Sequence, residues 1–376
     1  MKPIIRTFTA LLGIGLLISS CRSGDEDIVP SQGVPADMGS TSFYLLNEGN
    51  WGSNKSTIDY YDAATHTYHR NIYAEVNPGV TGHLGDMGND LKIYDGKLWA
   101  VINNSHLVEV MDAATAQHIT QLTIPNCRYI TFHGRHAYVT SYAGPAGVDP
   151  NAQRGYVARI DLDLLTITDT CLVGYQPEQL VICDDHLYVT NSGGYRAPDY
   201  DHTVSVIDLE RFSVVDTIDV APNLHLIEQD RHGFLWVTSR GDYGAISPRT
   251  YVIDPLTRTV CDSLELAISG MALAGDSLYA YSSVWDYATG ESIVGYHLID
   301  TRTREVMSNS FITDATDIRT PYGIAVSPTT REIYVTDAGD YINPGYLHCF
   351  TPEGNSKGKV RTGDIPAHIA FVLDQK

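Results

Sequence analysis

A short aromatic strand recurs seven times along this chain: FYLL (43–46), LWAV (98–101), AYVT (137–140), LYVT (187–190), LWVT (235–238), LYAY (278–281) and IYVT (333–336). The copies start 39 to 55 residues apart. After each of the first six comes a second strand ending in aspartate, such as IDYYD (58–62), VEVMD (108–112) and VSVID (204–208). Four of those aspartates open an Asp-x-x-Thr turn, at 62–65, 112–115, 254–257 and 300–303. Both side chains of that turn can bond its backbone, which closes a tight hairpin. A third β-rich run follows (SVVDTIDV, 213–220), then a fourth (QLVICD, 179–184) that leads into the next aromatic strand. Four short antiparallel strands repeated at this period make a β-propeller blade. The expected fold is therefore all-β, a single seven-bladed propeller over residues 41–376. The chain enters at a second strand, and AHIAFVLD (367–374) is left over as a first strand. Pairing of the two ends would complete the first blade and leave no open sheet edge.

The N-terminal residues carry a different signal. Lys2 and Arg6 precede the apolar run ALLGIGLLI (10–18), too short to span a bilayer, which reads as an export signal over residues 1–20. Ser19, Ser20 and Cys21 resemble a bacterial lipobox, which implies lipidation at Cys21. RSGDED (22–27) resembles the acidic tag that directs Bacteroidota lipoproteins to the outer face of the outer membrane. Residues 21–40, rich in Pro, Gly and Ser, read as a tether. The expected location is the cell surface, on the outer membrane.

Charge narrows the partners. A formal net charge of −20 disfavours nucleic acid and acidic lipid headgroups, both of which require basic patches. Beyond Cys21 there are five cysteines (Cys127, Cys171, Cys183, Cys261 and Cys349), none at metal-binding CxxC spacing. They read as small buried hydrophobes, with one or two disulfides at most and no pairing assigned. No metal or resident cofactor is expected.

The opening LLNEGNWGSNKSTIDYYD and the blade signature LYVTNS…VSVIDLE…VVDTIDV resemble the YncE-like, surface-layer-like propellers. Over the whole chain the resemblance is to the BtuG-type propeller lipoproteins of Bacteroidota. It implies a surface-anchored protein that captures cobalamin, as transported ligand, and hands it to a TonB-dependent outer-membrane transporter.

In such a propeller the loops between second and third strands share one face around the axis, and ligand sites are built there because loops vary on a rigid scaffold. Six of these seven loops carry Trp or Tyr: Trp51, Tyr142, Tyr195 with Tyr200, Tyr243, Trp285 with Tyr287, and Tyr341. Asn50 and Asn54 flank Trp51. The opposite-face turns hold one aromatic near their tips, Phe212. Rings set among amides and carboxylates offer stacking surfaces with hydrogen bonds between them. Any one of them could instead fill a gap between blades. A second set, aligned at the mouths of the innermost strands, comprises Asn89, Arg128, Gln179, His225, Met271, Tyr322 and His368, with His83 on the long first connection. Mixed donors and acceptors of this kind suit a ligand rich in amides, or equally a watered channel.

Catalytic signatures are missing from the sequence. No sialidase box, paired glycosidase carboxylates, GxSxG or phosphate-cradling Gly loop occurs. The expectation is a binder and not an enzyme. Aromatic loops also suit glycans, which makes a glycan-binding or adhesive propeller the alternative, and a lyase using an axial His225 or His368 the third reading.

Overall fold

The computed structural model describes residues 32–33, 38–81, 83–286 and 291–373. Among them lie seven antiparallel sheets of four strands, one of which gains a fifth, two-residue strand (Gln32–Gly33) at its outer edge. We number the blades 1 to 7 and their strands a to d from the axis outward. The innermost strands are Pro366–Phe371, Gly88–Tyr94, Cys127–His133, Pro177–Cys183, Leu224–Gln229, Ile268–Ala274 and Pro321–Val326. The protein is a seven-bladed β-propeller. Export signal, Cys21 and Tyr287 lie outside the described residues, as does the Trp285 side chain.

Ring closure follows the expected route. Pro366–Phe371 pairs antiparallel with Phe43–Asn47, from Phe43 opposite Phe371 to Asn47 opposite Pro366. The Phe371 ring lies edge-on to both Phe43 and Tyr334, so it seals blade 1 against blade 7. Gly323 of blade 7 is a position where only glycine fits: a Cβ there would meet the Ala367 carbonyl oxygen at 1.8 Å.

The core is divided among the blade interfaces. Seven clusters of buried apolar residues are described, one between each pair of neighbouring blades. Strand b has a blade on either side, which is why FYLLN, LWAVI and LWVTS are buried at every position instead of alternating. Strand d, at the rim, is mostly exposed, as in Thr166–Leu172. The repeated aromatic of strand b is a core residue in each blade: Tyr44, Trp99, Tyr138, Tyr188, Trp236, Tyr279 and Tyr334 are all buried. Two of its hydroxyls reach the neighbouring blade's Asp-x-x-Thr turn. Tyr44 donates to the Ala113 carbonyl at 3.1 Å and Tyr188 to that of Pro255 at 3.3 Å. The turns close as the side-chain chemistry predicts, with Thr65 and Thr115 hydroxyls donating to Asp62 and Asp112 at 2.8 Å.

Two expectations need correction or completion. Phe212, though on the opposite face, is no exposed loop tip. It is 5% exposed, its ring 5.7 Å from that of Tyr138 and 4.6 Å from the Arg159 guanidinium, within the cluster between blades 3 and 4. Phe212→Ala is therefore expected to cost about 3–5 kcal/mol in urea denaturation, the range for emptying a buried Phe site. An unchanged midpoint would show that the turn tolerates the void. The five described cysteines are all free, four of them buried and Cys261 exposed.

Candidate ligand-binding site at the channel mouth

Each innermost strand begins in the same irregular way. In all seven blades the register with strand b shifts directly after the first residue pair. A β-bulge of this type inserts an extra residue and re-aims its side chain. Here it sets consecutive residues around the axis, where every blade contributes to a cavity of about 490 Å³.

The bulge changes the equivalence of the blades. Counting from the first paired residue, Asn89, Arg128, Glu178, His225, Ser269, Tyr322 and Ala367 occupy corresponding positions. The blade repeat in the sequence puts Gln179, Met271 and His368 in those roles. Gln179 and His368 still line the cavity one step deeper. Met271 also touches the cavity but is 7% exposed and packs into the core between blades 5 and 6.

Glu178, which sequence reasoning passed over for its neighbour, organises one side of the mouth. Its carboxylate is almost fully buried and does not itself reach the cavity wall. One oxygen accepts from Arg128 Nε and Nη2 at 3.1 and 3.0 Å. The other accepts from the Tyr142 hydroxyl at 2.7 Å and from Arg240 Nη1 at 3.3 Å. Burial alone would raise this carboxyl; Arg128 and then Arg240 outweigh it and hold it at about 2. The Arg128 guanidinium lies 5.1 Å from the Tyr142 ring centre, within cation–π range. Tyr142 is thus a structural support at 5% exposure, not the open stacking surface expected of it.

His225 faces the same group. Its Nε2 is 2.9 Å from the Tyr129 hydroxyl. Burial first, and then the Arg240 charge, push its pKa well below the usual histidine value, so the ring is neutral. Across the mouth, Glu48 accepts from the Tyr322 hydroxyl at 2.7 Å and lies 3.5 Å from His368 Nε2. Tyr281 donates to the Tyr322 carbonyl and lies over Gly270, where a Cβ would come within 2.2 Å of its ring. Deeper in the channel, Lys92 Nζ is 3.6 Å from Asp90, while Gln179 Nε2 donates to Glu228 at 3.1 Å. Asp90 holds the Lys92 pKa up, whereas burial raises that of Glu228.

Above this ring stand the loop aromatics. Trp51 is 55% exposed, Tyr243 70% and Tyr341 45%, and Tyr195 is also exposed. Tyr200 is half-buried, 6.1 Å edge-on from Tyr243, and Tyr195 makes a similar contact with Tyr142. Tyr341 meets Tyr322 at 5.9 Å and joins the outer tier to the cavity wall. The loops are stitched to one another: Asn50 Nδ2 donates to the Tyr341 carbonyl, and Asp149 N to that of Tyr195 at 2.8 Å. Asn50 is consequently a loop brace. Asn54 and His83 are not at the mouth; they border a separate cavity of about 80 Å³ with Asp59, Arg70 and Gly363. In blade 6, strands b and c are longer, Ser277–Asp286 and Glu291–Asp300, and stay paired as far as Asp286 opposite Glu291.

Besides Glu178, the residues that sequence reasoning missed are Arg240, Glu48, Tyr129, Tyr281, Asp90, Lys92 and Glu228. Arg240 was visible in the SRGDYG loop beside Tyr243. Glu48 stood next to Asn47 in the loop that carries Trp51, and Tyr281 closes the LYAY strand; for Tyr129, Asp90, Lys92 and Glu228 no local motif marks the position.

Comparison with known proteins places the chain by fold and family. A family described as "Domain of unknown function (DUF5074)" matches residues 41–348. No curated protein matches the chain. Among solved structures, a quinoprotein alcohol dehydrogenase-like protein from Bacteroides thetaiotaomicron is similar at 15% identity and a TM-score of 0.61, over 88% of this chain and 78% of that one. Hydrazine synthase of Kuenenia stuttgartiensis is similar at 16% identity and 0.59, over 75% and 89% respectively. The Pan2 WD40 domain of Neurospora crassa aligns at 11% and 0.51, over 77% and 80%. At these identities the likeness is one of fold.

Proposed function

The chain belongs to the DUF5074 family, and from that premise we propose that it is a binding protein whose channel mouth captures a corrinoid such as cobalamin. One observation carries the reading: the exposed aromatics Trp51, Tyr195, Tyr243 and Tyr341 are gathered on one face, around a polar cavity, while Phe212 on the other face is buried. Cobalamin is a broad macrocycle fringed by amides. Stacking on the rim rings with hydrogen bonds from the wall matches such a ligand, and the macrocycle would lie across the mouth with a side arm entering the channel. Lipidation at Cys21 and the 21–40 tether would hold the propeller at the cell surface, where a TonB-dependent transporter receives the ligand.

Calorimetry with cyanocobalamin, cobinamide and a panel of oligosaccharides tests this. One-to-one corrinoid binding is expected, weakened by about 1–3 kcal/mol in Trp51→Ala and Tyr243→Ala, as for aromatic anchors elsewhere. The exposed rings contribute little to the core, so melting should hold. Binding of oligosaccharides alone would replace the corrinoid by a glycan.

A further inference from the structure

We propose that Arg240 and Arg128 form an anion subsite on the blade 3–5 side of the mouth, taking a monoanionic phosphodiester or carboxylate carried by the ligand. This rests on the mouth being the ligand site. Two guanidiniums here share a single carboxylate, since both pair with Glu178. Glu178 stands behind them, whereas both arginines line the cavity, so the wall presents the cations and hides their counter-charge. Arg240 makes no other ion pair among the described residues. It commits Nη1 to Glu178, and a guanidinium carries five N–H donors in a planar fork suited to two oxygens. His225, which also lines this part of the wall, is neutral and adds no charge of its own.

The remainder of the cavity has the opposite polarity. Glu48 lies across the mouth, and below it Asp90 and Glu228 face the one cation Lys92. An anionic group would be repelled from the channel interior and from the Glu48 side, and held at Arg240. The site thus fixes the orientation of a ligand as well as its place. In a chain of formal charge −20, this local surplus of guanidinium at a cavity wall stands against the general field.

The test uses the full chain at low ionic strength. Saturation transfer in proton NMR is measured to dimethyl phosphate, to acetate and to neutral trimethyl phosphate. Transfer to the two anions and not to the neutral ester is expected. It should fall by roughly tenfold in Arg240→Gln, the scale of a lost charge-assisted hydrogen bond, and recover in part in Arg240→Lys. Glu178 keeps Arg128 and Tyr142 in both variants, so the fold should survive, and circular dichroism checks it. Equal transfer to trimethyl phosphate, or anion transfer indifferent to Arg240, would overturn the subsite. With the intact ligand, Arg240→Gln should weaken cyanocobalamin, which has a phosphodiester, roughly tenfold more than cobinamide, which lacks it; equal weakening overturns it too. Arg240-dependent anion binding without corrinoid binding would retire the corrinoid and leave the subsite standing, with the preference between acetate and dimethyl phosphate naming the ligand's anionic group.

Discussion

A chain ending at Ile365 is expected to aggregate, or to melt at least ~10 °C below the full-length protein. Strand Pro366–Phe371 is the innermost strand of blade 1, and its partner Phe43–Asn47 would become a bare apolar edge facing the axis. Three further losses accompany it. Phe371 leaves its place between Phe43 and Tyr334. The Thr336 hydroxyl loses its acceptor, the Pro366 carbonyl, at 2.6 Å. His368 disappears from the cavity wall. Size-exclusion chromatography and thermal circular dichroism read the outcome. A monomer with the parental melting curve would mean that the ring does not need this closure.

The second large effect concerns Glu178. Glu178→Ala should destabilise the propeller by about 3–5 kcal/mol, because Arg128 and Arg240 lose the buried carboxylate they share and the buried Tyr142 hydroxyl loses its acceptor. Acid should reproduce part of that loss in the wild type. The folded carboxyl titrates at about 2, below its ordinary value of 4.5. A depressed folded pKa stabilises the native state above the unfolded value, and the contribution fades as pH falls from 4.5 through 2. The contribution at neutral pH is on the order of 3 kcal/mol by this linkage. Urea denaturation at stepped pH should show the slope in the wild type and a shallower one in Glu178→Gln. Parallel profiles for the two proteins would place the acid sensitivity in other carboxylates.

What could be read along the chain was whatever a single blade encodes. The aromatic of strand b, the Asp-x-x-Thr turns and the spacing of the copies depend on neighbours a few residues away. Period-2 strand geometry and turn chemistry therefore reveal them without tertiary information. The leftover AHIAFVLD strand announced ring closure for the same reason: a blade counted one strand short needs a partner. The rim aromatics were legible too, because Trp51, Tyr195, Tyr243 and Tyr341 stand in loops whose face follows from strand order.

The inner wall was another matter. One inserted residue at the head of each innermost strand decides whether Glu178 or Gln179 meets Arg128, and no residue type marks a bulge unambiguously. Arg128, Glu178 and Arg240 are separated by 50 and 62 residues and meet only when blades 3, 4 and 5 stand side by side. Tyr142 and Tyr243 look alike in sequence, yet one is buried under a carboxylate and the other is open to solvent. Phe212 is buried because a neighbouring blade covers its turn, and Asn54 and His83 drift to a side cavity because blade 7 closes there. A repeat carries the pattern of one blade. Burial, charge pairing and the polarity of the channel belong to the contacts between blades, and those exist only once the ring has closed.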